Sequence, residues 1–211
     1  MPSSLSPEAI AQLLQPYLGE SAVPEQLYPQ LAVYLELILK WNARINLTAI
    51  RNPEEIVCRH FGESLFAGLH LQATGSDNSL LDLGSGAGFP GIPIQLLRPE
   101  FPVTLAESRT RKAAFLHEVI RTLGLKTTVW SDRAEAMPPA SRFHTVALRA
   151  VDEMDSAVAE AARRATNRIA ILTTRLAVFA TLPSNFKLAE PVPLPDSQGG
   201  ILLIAVRASE R

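Results

Sequence analysis

The sequence of 211 residues contains only one cysteine, Cys58, and four scattered histidines. A single cysteine cannot form an internal disulfide or supply a cysteine-based zinc cluster, and the histidines show no metal-binding pattern. We therefore expect no metal ion. No stretch reaches the about 18 consecutive apolar residues of a membrane span, and residues 1–20 lack the basic and apolar segments of a signal peptide. These absences predict a soluble, cytoplasmic protein.

The chain also lacks an excess of either charge, since 20 Lys and Arg oppose 21 Asp and Glu. This balance excludes a uniformly basic nucleic-acid coat, so any contact with nucleic acid must come from a local patch. Arg109, Arg111 and Lys112 open a predicted helix, where cations oppose the helix dipole unless an anion compensates. Residues 161–189 carry five cations and no acid: Arg163, Arg164, Arg168, Arg175 and Lys187. Each group suits either a phosphate-facing surface or a solvated helix face.

Residues 1–72 are predicted to form an N-terminal helical appendage. Ser6 is a good N-cap, and Pro7 suits the first position of a helix. A second helix has apolar residues at a spacing of about 3.6, namely Leu27, Leu31, Tyr34, Leu35, Ile38 and Trp41. A third begins at Asn52, with Glu55 as the reciprocal capping acid. Its apolar face comprises Ile56, Phe61, Leu65 and Leu69. Residues 73–78 form a small polar linker.

From residue 73 to residue 211 the pattern changes to alternating strands and helices. Short apolar runs predict strands at 80–83, 103–106, 127–130, 145–148 and 169–173, and helices are predicted at 108–123 and 154–165. This alternation is typical of a doubly wound α/β fold with a mainly parallel sheet. Two final runs, 186–188 and 201–206, flank a turn-rich stretch and predict an antiparallel pair that completes the sheet edge.

A glycine-rich loop follows the first predicted strand and contains Gly84, Gly86, Gly88 and Gly91. Glycine adopts positive φ angles and lets a ligand approach the main chain closely. The helix start behind such a loop offers free N–H groups. So many glycines would only weaken a helix or strand. The loop therefore predicts a nucleotide-cradling cofactor site.

Two cofactors fit this loop. Residues 86–91 match the dinucleotide fingerprint, and Glu107 lies about 20 residues further on, where a ribose-binding acid is expected. This interpretation predicts an NAD-dependent oxidoreductase. A pyrophosphate, however, prefers an unobstructed, electropositive helix start, whereas Asp82 before the turn favours a ligand with an amine or a sulfonium. We therefore favour S-adenosylmethionine, although spacing alone leaves both cofactors open.

Several polar residues should meet at the carboxyl edge of the sheet, because ligands of doubly wound folds bind there. Asp82, Glu107 and Arg149 each end a predicted strand. Glu107 can bind ribose hydroxyls or cap the following helix. Residues 133–135 can present backbone groups to an adenine edge or form a surface turn with a salt bridge. Arg149 can face the reactive end of the cofactor or pair with Asp82 or Glu107, and His60 suits a half-buried, hydrogen-bonded residue without a base role.

A set of motifs along most of the chain resembles those of a known family. The motifs are Trp41-Asn42, Asn46-Leu47-Thr48, Arg59-His60, Glu63-Ser64, the run 82–93, Glu107-Ser108, Arg111-Lys112, Phe115-Leu116, Arg133-Ala134-Glu135 and Arg149-Ala150. They resemble the bacterial small-subunit ribosomal RNA guanine-N7 methyltransferases, also called the glucose-inhibited division protein B family. The glycine loop followed by Phe-Pro-Gly-Ile-Pro is specific to this family among methyltransferases.

The resemblance implies a Rossmann-like class I methyltransferase fold with a seven-stranded, mostly parallel sheet. It implies methyl transfer from S-adenosylmethionine to N7 of a guanine in small-subunit ribosomal RNA. By the same resemblance, Gly84, Phe89, Ala134, Glu135 and Arg149 contact the cofactor, and Glu107 lies near its ribose. The other cofactor candidates on the loop are Asp82, Ser85, Gly86 and Gly88.

Guanine N7 has an unprotonated lone pair at neutral pH, so we expect no acid or base residue. Arg149 and Asn46 are candidates for positioning the reactants. Candidates for contact with ribosomal RNA, free or in the small subunit, are Arg59, Arg109, Arg111, Lys112 and Arg175. We expect a monomer that needs no protein partner or membrane.

The sequence departs from the family pattern at three places. Glu63 and Glu107 stand where the family usually has aspartate, and Leu172-Thr173-Thr174 replaces a common lysine and glycine. Arg175 could partly substitute for the missing lysine. Its absence keeps open a non-catalytic RNA-binding or ribosome-assembly module that retains the fold.

Overall fold

The N-terminal helices begin at the predicted caps. In the computed structural model, which describes residues 5–73, 77–149, 154–174 and 182–208, helix α1 (Pro7–Leu18) follows Ser6, whose Oγ accepts the Ala9 N–H at 3.3 Å. Helix α2 (Leu27–Asn42) has no side-chain cap, whereas helix α3 (Pro53–Glu55) follows Asn52, whose Oδ1 accepts the Glu55 N–H at 2.9 Å. Local capping chemistry thus sets two of the three starts.

A π-helical segment, Ile56–Gly62, interrupts the predicted third helix and leads into helix α4 (Glu63–His70). The periodicity predicts ordinary helix here, and the structure differs. A Cβ on Gly62 would lie 2.6 Å from the ring of Tyr17, so glycine allows α1 to pack closely against this segment. Such π-helical turns are rare in proteins, and those that occur are often found at functional sites. This one carries Arg59 and His60.

The remaining elements alternate along the chain. The strands are β1 (Leu80–Leu83), β2 (Val103–Ala106), β3 (Thr128–Trp130), β4 (Phe143–Arg149), β5 (Ala165–Thr173), β6 (Phe186–Leu188), β7 (Val192–Pro193) and β8 (Ile201–Arg207). The helices between them are α5 (Gly91–Leu97), α6 (Thr110–Leu123) and α7 (Met154–Arg164), with a 3₁₀ turn at Ala134–Ala136. The α/β alternation is confirmed.

The strands form one sheet of order β3-β2-β1-β4-β5-β8-β6, and β7 pairs separately with β8. Strands β1 to β5 pair in parallel, whereas β8 runs antiparallel to β5 and β6. The predicted seven-stranded path with an antiparallel edge pair is therefore confirmed. The two-residue strand β7 adds an eighth strand that the sequence did not predict.

Apolar residues on each strand alternate between the two faces of the sheet. Leu80 and Leu105 belong to one buried cluster together with residues of α1, α2, α4, α5 and α6. Leu81 and Ala106 belong to a second cluster with α7. The N-terminal helices thus share a core with one face of the sheet. The predicted boundary at residue 72 stays a prediction, and residues 74–76 of the expected linker lie outside the described residues.

Candidate functional site

The glycine loop follows β1 and adopts backbone angles that favour glycine. The φ angles are 74° at Gly84, 59° at Gly86 and 94° at Gly88. The N–H groups of Gly84 and Ser85 both donate to the Ala106 carbonyl oxygen at 3.0 Å, which ties the loop to β2. A Cβ on Gly86 would meet only the Gly84 oxygen and Lys112 Nζ, each at 3.9 Å. The loop therefore presents an open side at Gly86.

Gly88 and Gly91 leave no space for a side chain. A Cβ on Gly88 would lie 2.5 Å from Ile92 Cδ1, and one on Gly91 would lie 2.5 Å from Leu105 Cδ2. Real Cβ atoms do not approach other atoms so closely. These two glycines let the loop pack against the sheet and the following helix.

Asp82 lies under the loop and is fully buried. Its Oδ2 accepts the Gly91 N–H at 2.8 Å, and its backbone oxygen accepts the Ser85 hydroxyl at 2.9 Å. Its Oδ1 is buried and has no hydrogen-bond partner among the described residues. Burial raises the pKa of Asp82 from 3.8 to about 7, although the Gly91 N–H opposes the shift. One carboxylate oxygen thus supports the loop while the other stays unused.

Glu107 follows β2 and connects the loop to the start of α6. Its Oε2 accepts the Gly86 N–H at 2.9 Å, and its Oε1 accepts the Arg109 N–H at 2.7 Å. Arg109 precedes the first turn of α6 and its own side chain makes no capping hydrogen bond, so the capping interpretation of Glu107 stays a prediction. Each carboxylate oxygen can accept a further hydrogen bond, so a ribose contact stays a prediction that is compatible with both observed hydrogen bonds.

Three rings pack around Phe89 at the end of the loop. Its ring centroid lies 4.6 Å from that of His60, 5.7 Å from Tyr34 and 5.9 Å from Phe61. Tyr34 also donates its hydroxyl to the carbonyl oxygen of Ala87. The helical periodicity of the sequence indicates only an apolar position for Tyr34. A tyrosine on a buried helix face needs a partner for its hydroxyl, and that need is the signal that could have revealed the contact.

Arg149 ends β4 and binds the π-helical segment. Its guanidinium donates to Glu63 Oε2 at 2.9 Å and to the carbonyl oxygens of Arg59 at 2.7 Å and His60 at 3.3 Å. The guanidinium carbon also lies 5.8 Å from the Phe89 ring centroid. The suggested pairing of Arg149 with Asp82 or Glu107 is wrong, because the α4 side chain Glu63 reaches the guanidinium instead.

The Glu63–Arg149 pair is largely shielded from solvent, with side-chain exposures of 11% and 12%. Burial raises the pKa of Glu63 and lowers the pKa of Arg149, and the opposite charge of each partner opposes these shifts. The close contact and the additional carbonyl acceptors of Arg149 offset part of the cost of burying the two groups. The pair holds the π-helical segment against the end of β4.

His60 is half-buried and hydrogen-bonded, as predicted. Its Nε2 lies 2.7 Å from Thr48 Oγ1, while its Nδ1 is buried without a partner among the described residues. Burial and the nearby Arg149 and Arg59 lower the pKa of His60 from 6.5 to about 3. The imidazole is therefore neutral at physiological pH.

The segment after α2 carries the positioning candidate Asn46. Asn42 is buried and holds this segment: its Oδ1 accepts the Leu47 N–H at 2.9 Å, and its Nδ2 donates to the Thr48 oxygen at 3.1 Å. Asn46 is exposed and accepts a hydrogen bond from Arg51 Nη2 at 3.0 Å. Through the Thr48–His60 contact, the segment that presents Asn46 is attached to the ring cluster around Phe89.

Ala134 and Glu135 occupy the 3₁₀ turn after β3. Ala134 is buried, and its carbonyl oxygen accepts Arg164 Nη2 at 3.1 Å. Glu135 is exposed and lines a cavity of about 650 Å³ together with residues from the last turn of α7, Arg142 before β4 and Arg207 at the end of β8. The hydrogen bond from Arg164 ties the turn to α7, and a role of either residue at the cofactor stays a prediction.

The RNA-contact candidates lie on two elements next to the loop. Arg59 is exposed on the π-helical segment and pairs with Glu55 at 3.3 Å. Arg109 and Arg111 are exposed at the start of α6, where Lys112 points toward Gly86. Arg175 lies outside the described residues, as does Ala150.

The described residues contain neither a metal cluster nor a membrane-spanning helix. No group of three or more His, Cys, Asp or Glu residues is placed to hold a metal ion. None of the helices is both long and apolar enough to cross a bilayer.

Comparison with known proteins points to one family. The family model for rRNA small subunit methyltransferase G matches residues 27–175. A ribosomal RNA small subunit methyltransferase G of Stenotrophomonas maltophilia (strain K279a) is 42% identical over 149 residues, which cover 70% of this chain and 68% of the relative. A protein of the same name from Xylella fastidiosa (strain 9a5c) is 37% identical over 97% of this chain and 98% of its own length.

Solved structures share the fold at low sequence identity. The N-methyltransferase NodS from Bradyrhizobium japonicum WM9, in complex with S-adenosyl-L-homocysteine, superposes with a TM-score of 0.59 at 15% identity. The superposition covers 82% of this chain and 98% of NodS. The fold is that of the class I methyltransferases.

Proposed function

The chain belongs to the rRNA small subunit methyltransferase G family, and on this premise we propose that it transfers a methyl group from S-adenosylmethionine to N7 of a guanine in small-subunit ribosomal RNA. As a member of this family it is an S-adenosylmethionine-dependent enzyme. The NAD interpretation of residues 86–91 is set aside. Strand β8 is antiparallel and lies between β5 and β6, whereas the usual dinucleotide-binding sheet is parallel with the order 3-2-1-4-5-6.

The observation that carries the proposal is the loop over Asp82. Gly86 leaves the outer side of the loop open, Glu107 supplies a carboxylate beside it, and Asp82 Oδ1 keeps an unused acceptor below it. An adenosine with vicinal hydroxyls and a cationic group has the matching chemistry. S-adenosylmethionine supplies, when bound, an activated methyl group on a sulfonium sulfur. A nearby cation would favour the ionised form of Asp82.

In our proposal the protein orients the methyl donor and the guanine. It needs no general base, because guanine N7 is nucleophilic without losing a proton. Correct orientation of two reactants is worth roughly 7–11 kcal/mol of the barrier. Arg149 supports Phe89 and the carbonyl oxygens of the π-helical segment, so its role in our proposal is to shape the cofactor side of the site. Asn46, exposed on the segment next to His60, is our candidate for contact with the base.

We propose that RNA phosphates bind the cations beside the loop. Arg59, Arg109 and Arg111 are exposed near the glycine loop, and Lys112 Nζ lies by its open side. Arg175 remains a candidate from the sequence alone. We further propose a cytoplasmic monomer in which residues 1–72 form the helical unit that presents Asn46 and Arg59.

The experiment that tests the proposal is methyl incorporation. Radiolabelled S-adenosylmethionine is incubated with small ribosomal subunits and with free small-subunit RNA from cells that lack this methylation, and N7-methylguanine is located by chemical cleavage. Labelling at one guanine is the expected result. Cofactor binding without any labelling would contradict the proposal and favour a non-catalytic RNA-binding module with this fold.

Glu107→Gln tests the cofactor side separately. The amide nitrogen cannot accept a hydrogen bond, so either Gly86 N–H or Arg109 N–H loses its acceptor. We expect about tenfold weaker binding of S-adenosylmethionine in calorimetry. Glu100→Gln, the same change at an exposed position before β2, should bind like the wild type. Equal affinities of the two variants would remove Glu107 from the site.

A further inference from the structure

Helix α2 reaches the glycine loop through Tyr34. The side chain is fully buried, and its hydroxyl donates to the carbonyl oxygen of Ala87, which lies 53 residues further along the chain. The ring stacks on Phe61 with centroids 5.2 Å apart and an interplanar angle of 14°. A buried phenol requires a hydrogen-bond partner, and here a loop carbonyl supplies it.

The contact falls in the centre of the loop. Ala87 stands between Gly86, which borders the open side, and Gly88, whose φ is 94°. A Cβ on Gly88 would lie 2.7 Å from the Tyr34 hydroxyl oxygen, so the phenol packs directly against this peptide unit. Tyr34 therefore fixes the orientation of the peptide between Ala87 and Gly88.

Two other side chains hold the loop at its flanks. Glu107 accepts the Gly86 N–H, and Asp82 accepts the Gly91 N–H. Asp82 lies in β1 and Glu107 directly follows β2, and both acids accept from N–H groups. Tyr34 comes from the N-terminal helices and binds a carbonyl. The two acids accept hydrogen bonds from the loop, whereas the Ala87 carbonyl oxygen needs a donor, and the Tyr34 hydroxyl supplies it.

The loop depends on such anchors because its glycines permit many backbone conformations. A ligand that binds only one conformation has its apparent affinity reduced by the fraction of molecules in that conformation. Burial also raises the pKa of the Tyr34 hydroxyl well above 10, so it remains a donor at every relevant pH.

We propose that Tyr34 is a positioning residue for the cofactor: its hydroxyl holds the Ala87–Gly88 peptide in the conformation that binds S-adenosylmethionine. The identity of this ligand rests on the proposed function. Tyr34 acts through the loop. In this proposal it strengthens cofactor binding equally in the ground state and in the transition state of methyl transfer.

Tyr34→Phe is the direct test, because it removes one oxygen and keeps the ring stack. We expect the dissociation constant for S-adenosylmethionine, measured by calorimetry, to rise about tenfold. The KM for this cofactor should rise equally, with kcat at saturating cofactor and the KM for RNA within about twofold of wild type. The control is Tyr17→Phe, the same change in a buried α1 tyrosine that packs on Gly62, which should keep the wild-type affinity.

Amide hydrogen exchange of residues 84–89 gives a second readout that needs no ligand. We expect faster exchange there in Tyr34→Phe than in Tyr17→Phe, with α2 unchanged. Replacement of Tyr34 by 4-aminophenylalanine, which keeps a donor at the same position, should restore slow exchange and affinity.

Three results would overturn the proposal: wild-type affinity in Tyr34→Phe, an equal loss in Tyr17→Phe, or loop exchange at the wild-type rate. Should Tyr34→Phe not fold, the 4-aminophenylalanine variant decides, and its failure to match the wild type in loop exchange counts against the proposal. A wild-type protein that binds no S-adenosylmethionine contradicts the proposed function instead, while the exchange data still test the anchor.

Discussion

Buried charged groups at the two edges of the sheet have different surroundings. Where β4 and β5 begin, Arg164 donates to Glu160 Oε1 and to four backbone carbonyl oxygens, and Arg168 donates to Thr145 Oγ1 and the Gln72 carbonyl oxygen. Where β1 ends, Asp82 Oδ1 and, beside the loop, His60 Nδ1 are buried without partners among the described residues.

The difference separates stability from binding. A buried polar group with all its hydrogen bonds made stabilises one arrangement, whereas a buried group with an unused atom costs stability unless a ligand or water completes it. The edge with Arg164 is therefore structural. At the edge with Asp82, buried polar atoms remain that a ligand could bind. Three predictions test this contrast.

The largest effect is expected for Arg164→Met. The variant keeps most of the side-chain volume but leaves the buried Glu160 with Arg163 alone. Removal of one partner from a buried pair costs about 3–5 kcal/mol of the free energy of unfolding. Urea unfolding measures this loss.

Arg163→Met is the matched control, because this neighbouring side chain is 67% exposed. In Arg163→Met the buried Glu160 keeps its pair with Arg164, and we expect the loss of the exposed partner to cost about 0–1 kcal/mol. A loss of unfolding free energy in Arg164→Met as small as that in Arg163→Met would contradict the structural role of Arg164.

The second effect is a pH dependence that arises from Asp82. Its pKa is raised from 3.8 to about 7 by burial, so the folded protein binds this proton more tightly than the unfolded chain. The resulting stability is complete below pH 3.8 and is lost as pH rises to about 7. A shift of about three units corresponds to at most about 4 kcal/mol.

Asp82→Asn should remove this decline, because the amide oxygen still accepts the Gly91 N–H without carrying a charge. The measurement is the free energy of unfolding of wild type and variant across this pH range. The two proteins must be compared, because His60 adds a pH dependence of opposite sign to both. Its pKa is lowered to about 3, so the folded protein loses stability as pH falls below 6.5. Asp77→Asn is the control: the pKa of this exposed acid is lowered from 3.8, so above about pH 5 it is ionised in both states and cannot cause a decline toward pH 7. Parallel curves for wild type and Asp82→Asn would be evidence against a buried, unpaired carboxylate.

The smallest effect is expected on the outer surface of the cofactor edge. Arg111→Ala should weaken binding of small-subunit RNA by a few fold and reduce the slope of affinity against salt concentration by about 0.7–0.9. Filter binding at several salt concentrations measures both. Arg121→Ala, exposed near the end of the same helix, should match the wild type, and equal slopes in the two variants would exclude Arg111 from the RNA surface.

Local signals in the sequence predicted much of the fold. The strands at 80–83 and 103–106 have the predicted bounds, and Ser6 and Asn52 cap the predicted helices. The strand from Ala165 was predicted too short, because Arg168 interrupts its apolar run. In the folded chain this charge is satisfied by Thr145 and Gln72, which no local pattern reveals.

The candidate site divides in the same way. The glycine loop was readable because its requirements are local: positive φ at Gly84, Gly86 and Gly88, and no room for a side chain at Gly91. Pairing with Asp82 or Glu107, the alternative considered for Arg149 because both acids lie near strand ends, is not observed, and Glu63 is the partner instead.

The sequence by itself determined the alternation of strands and helices, the loop and the family, because these depend on residue types at short spacing. Only the tertiary structure decided that Glu63, 86 residues before Arg149, is its partner, and that Tyr34 anchors Ala87 across 53 residues. Many acids and carbonyl oxygens satisfy the chemistry of such contacts equally well. The choice among them follows from how helices and sheet pack, and that packing brings together residues that no short pattern connects.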